Sequence, residues 1–408
     1  MSSAMRSTAM ATPAPTAANS ANTTSAEAAA APRLKVLLAL EATGGGAGRH
    51  VRDLAAGLLQ RGHRVSLAYS QERVETGWLE AIDSLPGLKL TAVPMQRAVG
   101  QGDLVALRAL RRLLASAGPF DIAHGHSSKA GALLRLAAHG AGLPCVYTPH
   151  AFITLDPELG RLRRLAYGLA ERWLATRAER IICVSRQEFE HARRLGITAA
   201  RLRLVANGIG PLPPAERLPA RRELGLPAGA ICIGSVGRLA PQKAFHCLLA
   251  AFALLESAQA PLWLAIVGDG PERPVLERQA ARLGIGERVL FAGPGDGARL
   301  MAGFDLFALP SRYEAGPYVL LEAAARGLPI VMTPTGGAGE VVRHGDNGLV
   351  ADDHGHEALA ACLQRLLDDP AQRRRMGQRS RTIAAEYSVD RMVETTLAVY
   401  HEARAARQ

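Results

Sequence analysis

Apolar residues fall along this chain in short continuous runs, separated by stretches in which they recur at every third or fourth position. The first run ends at Leu40, and a glycine-rich loop from Thr43 to Gly48 follows it. Val51, Leu54, Leu58 and Leu59 then mark one face of a helix from Arg49 to Gln60. Arg64–Tyr69 is the next strand and completes a strand-helix-strand unit. Further runs at Leu88–Val93, Phe120–His124, Cys145–Thr148 and Arg180–Val184 alternate with helical patterns at Asp103–Ala115, Ser127–Ala138, Glu158–Ala178 and Arg186–Leu195. Alternation at this spacing predicts a doubly wound parallel sheet.

The pattern stops at Pro211–Pro219, where four prolines break both periods, and then begins again. Strands are expected at Ile231–Arg238, Leu262–Val267, Arg288–Ala292, Asp305–Pro310 and Pro329–Thr333, with a helix from about Pro317 to Arg326. After Val350 the chain returns in helices, the last from Val389 to Arg404. These signals divide the chain into an α/β domain over residues 33–210, a linker over 211–219, a second α/β domain over 220–386 and a terminal helix over 387–408. Residues 1–32 are Ala, Ser, Thr and Pro with almost no large apolar side chains, and are expected to be a disordered tail. They lack the apolar core of a signal peptide, and Arg6 alone is too little for an organelle transit peptide.

With 408 residues, each half can bury a core of its own. The formal charge of +11 resides in the first half: 25 Lys and Arg stand against 14 Asp and Glu from Arg33 to Gly210, whereas the remainder balances. Such a basic face suits nucleic acid, anionic lipid or a diphosphate-bearing acceptor, and composition does not choose among them. Five scattered cysteines in apolar runs are expected to be buried free thiols, which fits a reducing, cytoplasmic compartment. No apolar run is long enough to span a membrane. The helical patterns at Asp103–Ala115 and Glu158–Ala178 interleave leucines with Arg108, Arg111, Arg112, Arg161, Arg163, Arg164, Arg172 and Arg177. Two readings are open: peripheral docking on an anionic membrane, or leucines packed on the sheet with solvated arginines.

Open parallel sheets bind ligands beyond the carboxyl ends of their strands, and polar residues collect there in this chain. Arg238 and Lys243 follow the strand from Ile231, a fork and a point charge suited to a diphosphate. Glu314 precedes the helix near Pro317, whose free N–H groups attract phosphate, and Glu322 lies within it. Carboxylates accept strong hydrogen bonds from vicinal diols, so two acids beside a phosphate site suggest sugar hydroxyl recognition; isolated glutamates more often cap or solvate a helix. His150 ends a strand and points into the crevice. His124 and His126 stand one residue apart, but no third ligand lies near them in sequence, so they read as loop histidines rather than as a zinc site. Asp352, Asp353, His354 and His356 read as a solvated turn, and no D-x-D occurs.

The run E314-A-G-P-Y-V-L-L-E322, followed by A-A-A-R-G-L-P-I-V and G336-G337-x-x-E340, resembles the retaining GT-B glycosyltransferases of family 4. G45-G46-A47-G48-R49-H50-V51, H126-S-S-K-A-G131, T148-P-H150, C183-V-S185, V205-A-N-G-I209, R238-L-A-P-Q-K243 and G268-D-G-P-E272 look like further signatures of that family, particularly of members acting in polysaccharide assembly. The likeness runs from Arg33 to about Val350. It implies two Rossmann-like doubly wound domains facing across a cleft, with the last helix crossing back to the first. It also implies transfer of a glycosyl group from a nucleotide-diphosphate sugar to a hydroxyl acceptor, glycan or lipid-linked, with retention and without a metal.

Residue by residue, the resemblance assigns catalytic roles to His150, Arg238, Lys243 and Glu314. It gives donor contacts to Gly46, Gly270, Pro294, Gly316, Tyr318, Val319 and Glu322, and acceptor contacts to His126, Ser127 and Lys129. Ala315 departs from the glycine many members carry, and Pro317 offers no N–H, so donation falls to Gly316, Tyr318 and Val319. Two other classes stay open: an epimerase or other nucleotide-sugar enzyme on the same fold, and an inactive sugar-nucleotide-binding protein. An oxidoreductase would need G-x-G-x-x-G, which the first glycine loop does not satisfy. An inactive protein would be expected to have lost Glu314, Glu322, Arg238 or Lys243, and all four are present.

Overall fold

A computed structural model describes residues 32–75 and 77–407, so the expected disordered tail lies, apart from Pro32, outside the described residues. Seven strands form the first sheet: β1 (Lys35–Leu40), β2 (Arg64–Tyr69), β3 (Lys89–Ala92), β4 (Ile122–His126), β5 (Cys145–Thr148), β6 (Arg180–Cys183) and β7 (Leu202–Leu204). Six form the second: β8 (Ile231–Val236), β9 (Leu262–Val267), β10 (Val289–Gly293), β11 (Leu306–Leu309), β12 (Ile330–Met332) and β13 (Gly348–Val350). The orders are β3-β2-β1-β4-β5-β6-β7 and β10-β9-β8-β11-β12-β13. Neighbouring strands pair in parallel.

The two Rossmann-like sheets bear out the expected fold. Helices cover both faces, so the central strands are buried on both sides and read as unbroken apolar runs, as in Val36–Leu40. Each order reverses at its centre, between β1 and β4 in one sheet and between β8 and β11 in the other. These reversals are the points at which parallel sheets open a crevice.

β7 and β13 were not foreseen. Each has three residues at a sheet edge, too few to show a period. The expected linker is also shorter than its prolines suggested, because the helix Arg217–Glu223 begins inside it. Pro219 sits in that helix's first turn, where a missing N–H costs nothing. All five cysteines are free, four of them buried. No helix among the described residues is long and apolar enough to cross a membrane.

The helix Arg161–Ala175 departs from the reading in which its leucines pack on the sheet. It buries only Glu171, Leu174 and Ala175, and leaves Leu162, Leu165, Leu169 and Trp173 between 51% and 84% exposed. The helix Gly102–Ala117 does turn Ala106, Leu110 and Leu114 inward.

Val389–Ala405, capped by the Ser388 hydroxyl accepting from Arg391 N–H, crosses back and lays Met392, Val393, Val399 and Tyr400 into the first sheet's core. Where the chain leaves the first lobe it meets the segment returning to it: Ile209 N–H donates to Tyr387 carbonyl at 2.7 Å. A Cβ on Gly208 would stand 2.4 Å from the Ser388 carbonyl oxygen, so only glycine fits the crossing. Gly57 does the same for the last helix, since a Cβ there would meet Val393 at 2.5 Å.

Gly57→Ala is expected to destabilise the chain by about 1–3 kcal/mol through overpacking, outweighing the roughly 1 kcal/mol that alanine gains in helix propensity. Adding Val393→Ala should recover part of the loss. Urea unfolding of the two single variants and the double variant checks this; strictly additive effects would show that Gly57 does not set the contact.

Candidate functional site

The carboxyl ends of both sheets face one cavity of about 400 Å³. The first lobe contributes Gly44 and the first turn of the helix Gly45–Gln60, which begins inside the stretch expected to be a glycine loop, together with His150 and Ala151 from the turn after β5, and Asn207. The second contributes Arg238 and Lys243 from beyond β8, and Glu314–Val319 from beyond β11. Gly46, His150, Arg238, Lys243, Glu314, Gly316, Tyr318 and Val319 therefore line one space, although nearly three hundred positions separate the first from the last. A roomier cavity of about 650 Å³ near Arg217, Arg326, Arg373 and Arg381 lies elsewhere, and several of its guanidiniums are tied to main-chain carbonyls.

Lys243 Nζ donates to Glu314 Oε1 at 2.6 Å, and the Ser311 hydroxyl donates to the same oxygen at 2.8 Å. Glu314 is buried, so the pair is shielded and each charge holds the other in place. Arg238 is exposed and, among the described residues, no carboxylate pairs with it. The helix Tyr318–Ala325 takes Pro317 as its cap residue rather than as its first turn. Its first-turn N–H groups, from Tyr318 and Val319, are left over by the helix and sit at the cavity wall. A Cβ on Gly46 would touch the Tyr318 ring at 3.4 Å, so this glycine lets the first turn of the helix Gly45–Gln60 come close to the mouth of the helix Tyr318–Ala325.

Glu322 lies one turn deeper and is occupied: Arg49, from the first lobe, pairs with its Oε1 and stacks over the Tyr318 ring at 4.6 Å. Burial raises the Glu322 carboxyl above its usual range, and Arg49 pulls it back down. Gly270 does not line the cavity; a Cβ there would stand 2.3 Å from the Leu239 carbonyl, so it seats the loop that carries Arg238. Pro294 is exposed after β10. Lys129, expected at the acceptor, does not line this cavity: its Nζ donates to both oxygens of Asp103, at 2.6 and 2.8 Å, and to the Ala98 carbonyl. Asp103 belongs to a neighbouring helix, a pairing that local sequence does not reveal.

The histidines also differ from expectation. His124 and His126 lie within β4, fully buried, rather than in a loop. His124 is held at both nitrogens, by the Tyr400 hydroxyl at 2.7 Å and the Thr148 hydroxyl at 2.8 Å. His126 Nδ1 lies 3.1 Å from His150 Nε2, and Ser127 caps the next helix with its hydroxyl buried and unpartnered. Burial keeps His124, His126 and His150 well below the usual imidazole range and takes His50 down to about 4.

Three side chains that the sequence did not single out hold this arrangement. Asn207 links the lobes, donating through Nδ2 to the Gly316 carbonyl at 2.7 Å while its Oδ1 meets His50 Nδ1 at 3.0 Å. Arg49 bridges to Glu322. Glu188, fully buried, accepts from Ala151 N–H and Val184 N–H, both at 2.8 Å. Those bonds clamp a turn in which His150 and Ala151 both adopt the left-handed region, φ 54° and 83°, at a cost only such anchoring sustains. The signal was faint, a glutamate three residues after a serine cap, which reads as an ordinary helix start.

Comparison with known proteins agrees with this geometry. Residues 216–383 match the family described as glycosyl transferases group 1, and residues 45–208 match the glycosyl transferase 4-like domain. A D-inositol 3-phosphate glycosyltransferase of Salinispora arenicola is 32% identical over 348 residues, covering 79% of this chain and 77% of that protein. The lipopolysaccharide core biosynthesis glycosyltransferase LpsE of Rhizobium meliloti is 35% identical over 179 residues, 43% of this chain and 52% of LpsE. Among solved structures, Anabaena HepE, crystallised with UDP and glucose, superposes with a TM-score of 0.77 at 24% identity, covering 90% of this chain and 99% of that one. Sucrose-phosphate synthase from Thermosynechococcus elongatus gives 0.77 at 22%, covering 92% and 100%.

Burial raises the Glu188 carboxyl from 4.5 to about 7, against the two N–H donors that lower it. The folded chain thus holds this proton more tightly than the unfolded chain does, and the group's contribution to stability is lost as pH rises from 4.5 to about 7. Glu188→Gln, neutral throughout, should flatten that part of the slope when unfolding free energy is measured between about pH 5 and 8. An unchanged slope would show that another group sets it.

Proposed function

This chain belongs to the group 1, 4-like glycosyltransferases of GT-B fold, and we propose that it transfers a glycosyl group from a nucleotide-diphosphate sugar to a hydroxyl of a glycan or lipid-linked acceptor, with retention. The observation that carries the reading is the convergence of Arg238, Lys243 and the amino end of the helix Tyr318–Ala325 on one cavity whose opposite wall holds Gly46 and His150.

Cleaving the bond between the anomeric carbon and the diphosphate leaves the electron pair on a phosphate oxygen. Arg238 supplies a fork and Lys243 a point charge, with the N–H groups of Gly316, Tyr318 and Val319 completing the cradle. Because this charge is greatest in the transition state, these groups raise the rate and do not merely hold the donor. The chain's own cations take the part that a D-x-D-bound metal would otherwise play, so transfer needs no metal. The acceptor hydroxyl enters on the face the diphosphate leaves, its proton passing to the departing phosphate oxygen. Glu314 takes a sugar hydroxyl while Lys243 turns toward the diphosphate. Glu322 takes the ribose diol once Arg49 releases it, and His150 holds the sugar from the first lobe. His126 and Ser127 support the acceptor side, where Asp103 holds Lys129.

A lipid-linked acceptor fits the exposed stripe Leu162, Leu165, Leu169 and Trp173, spaced along one face of the helix that follows the His150 turn. Arg161, Arg163 and Arg172 flank it, and Arg177 covers the Trp173 ring at 3.4 Å. An apolar stripe edged by arginines is complementary to an anionic bilayer surface.

A thermal-shift screen of nucleotide sugars should identify the donor, and transfer should persist in excess chelator; activity lost there and restored by magnesium or manganese overturns metal independence. Lys243→Ala should lower turnover about a hundredfold while weakening donor binding less, and Arg238→Lys should be nearly as damaging as Arg238→Ala. A higher KM with turnover intact would reduce the pair to an anchor.

The protein should bind anionic liposomes at low salt and release them at high salt, and Leu165→Asp with Leu169→Asp should abolish binding without lowering the melting temperature. Equal binding to neutral vesicles, or none to anionic ones, removes the membrane from the reading.

A further inference from the structure

Three imidazoles from separate elements converge behind the wall of the cleft. His50 comes from the helix Gly45–Gln60, His126 from the end of β4 and His150 from the turn after β5. One nitrogen of each lies within 4.8 Å of the others. His126 Nδ1 and His150 Nε2 are 3.1 Å apart, close to the edge of a tetrahedral shell with bonds of about 2.0–2.1 Å.

The hydrogen bonds around His50 settle which of its nitrogens is free. Asn207 Nδ2 donates to the Gly316 carbonyl, which only accepts, so Asn207 Oδ1 is the atom that faces His50. That oxygen accepts from His50 Nδ1–H, leaving the lone pair on Nε2. This Nε2 is buried and meets no partner. An outer hydrogen bond that fixes the tautomer and aims the opposite nitrogen is the usual support of a metal-bound histidine. His124, although its ring centroid lies 4.0 Å from that of His126, is excluded because both its nitrogens are already taken.

We propose that His50, His126 and His150 form a site for a divalent transition metal of the zinc class, with its fourth position opening on the cavity through His150. Three neutral imidazoles and no carboxylate select zinc, copper or nickel over magnesium or calcium. Loading commits His150 to the metal and withdraws it from the sugar, so the metal competes with the donor and inhibits transfer. That consequence rests on the role proposed above for His150; the site itself does not.

Zinc is titrated into the full-length chain against a chromophoric chelator, and cobalt(II) is followed by its visible absorption. One metal per chain with tetrahedral cobalt bands is expected. His50→Gln and His126→Gln should each lower zinc affinity at least about a hundredfold, the upper range even for outer partners. Replacing the surface pair His354 and His356 with alanine should leave affinity unchanged. One equivalent of zinc should suppress transfer, chelator should restore it, and His50→Gln should transfer at one rate with or without zinc. Affinity that survives both core variants, or that is lost with the surface pair, overturns the site; should one core variant fail to fold, the other decides. Zinc bound at the core histidines without inhibition overturns the competition with the donor. A chain that turns over no nucleotide sugar refutes the proposed function, and the metal titration then still decides the site.

Discussion

One side-chain amide joins the two lobes at the back of the cleft, alongside the Arg49–Glu322, Arg312–Glu158 and Arg186–Glu340 contacts. Asn207 sits where the chain leaves the first sheet, and its side chain spends its donor on Gly316 in the second lobe and its acceptor on His50 in the first. Beside it Gly208 lets the outgoing chain lie against Ser388 of the returning chain, where no side chain would fit. Everything in the cleft depends on this junction, because Gly316 begins the helix mouth and His50 backs the histidine wall. The last helix then locks the arrangement from behind, its Tyr400 hydroxyl forming one of the two hydrogen bonds that orient His124.

Apart from Arg238, these cleft charges stand in pairs. Lys243 holds Glu314, and Arg49 holds Glu322, both partly or wholly out of water. Removing one partner from such a pair is costly, since the other is left buried and uncompensated. A ligand that supplies both anionic oxygens and hydroxyls can take over both halves of each pair, with phosphate replacing the carboxylate on the lysine and a diol replacing the guanidinium on the glutamate. On the proposed function, donor binding is an exchange of partners, which favours a ligand carrying both groups over free phosphate or free sugar.

Backbone strain is concentrated at the same wall. His150 and Ala151 lie in the left-handed region without being glycine, and Ser127 does too, at φ 63°. These positions follow the carboxyl ends of β5 and β4, where the sheet turns its chain outward, and Glu188 anchors one of them from a helix that otherwise looks structural. Strain of this kind persists only where neighbouring groups over-determine the conformation. Here they do so beside the residues that line the cavity.

The sequence by itself determined the parallel architecture, because strands buried on both faces must be continuously apolar and helices packed on them must show a period near 3.6. It also determined that Arg238, Lys243, Glu314 and His150 stand at strand ends, since that follows from where each apolar run stops. It did not reveal β7 or β13, edge strands too short to carry a period. It read His124 and His126 as loop residues because polar side chains at a strand's end look like the start of a turn. The partners of the charged and polar groups were decided only by the tertiary structure: Arg49 with Glu322, Lys129 with Asp103, and Asn207 with His50 and Gly316. Those pairings join positions up to 273 residues apart. The apolar period along each element does not encode them, because they arise only when two sheets and a returning helix have brought their ends together.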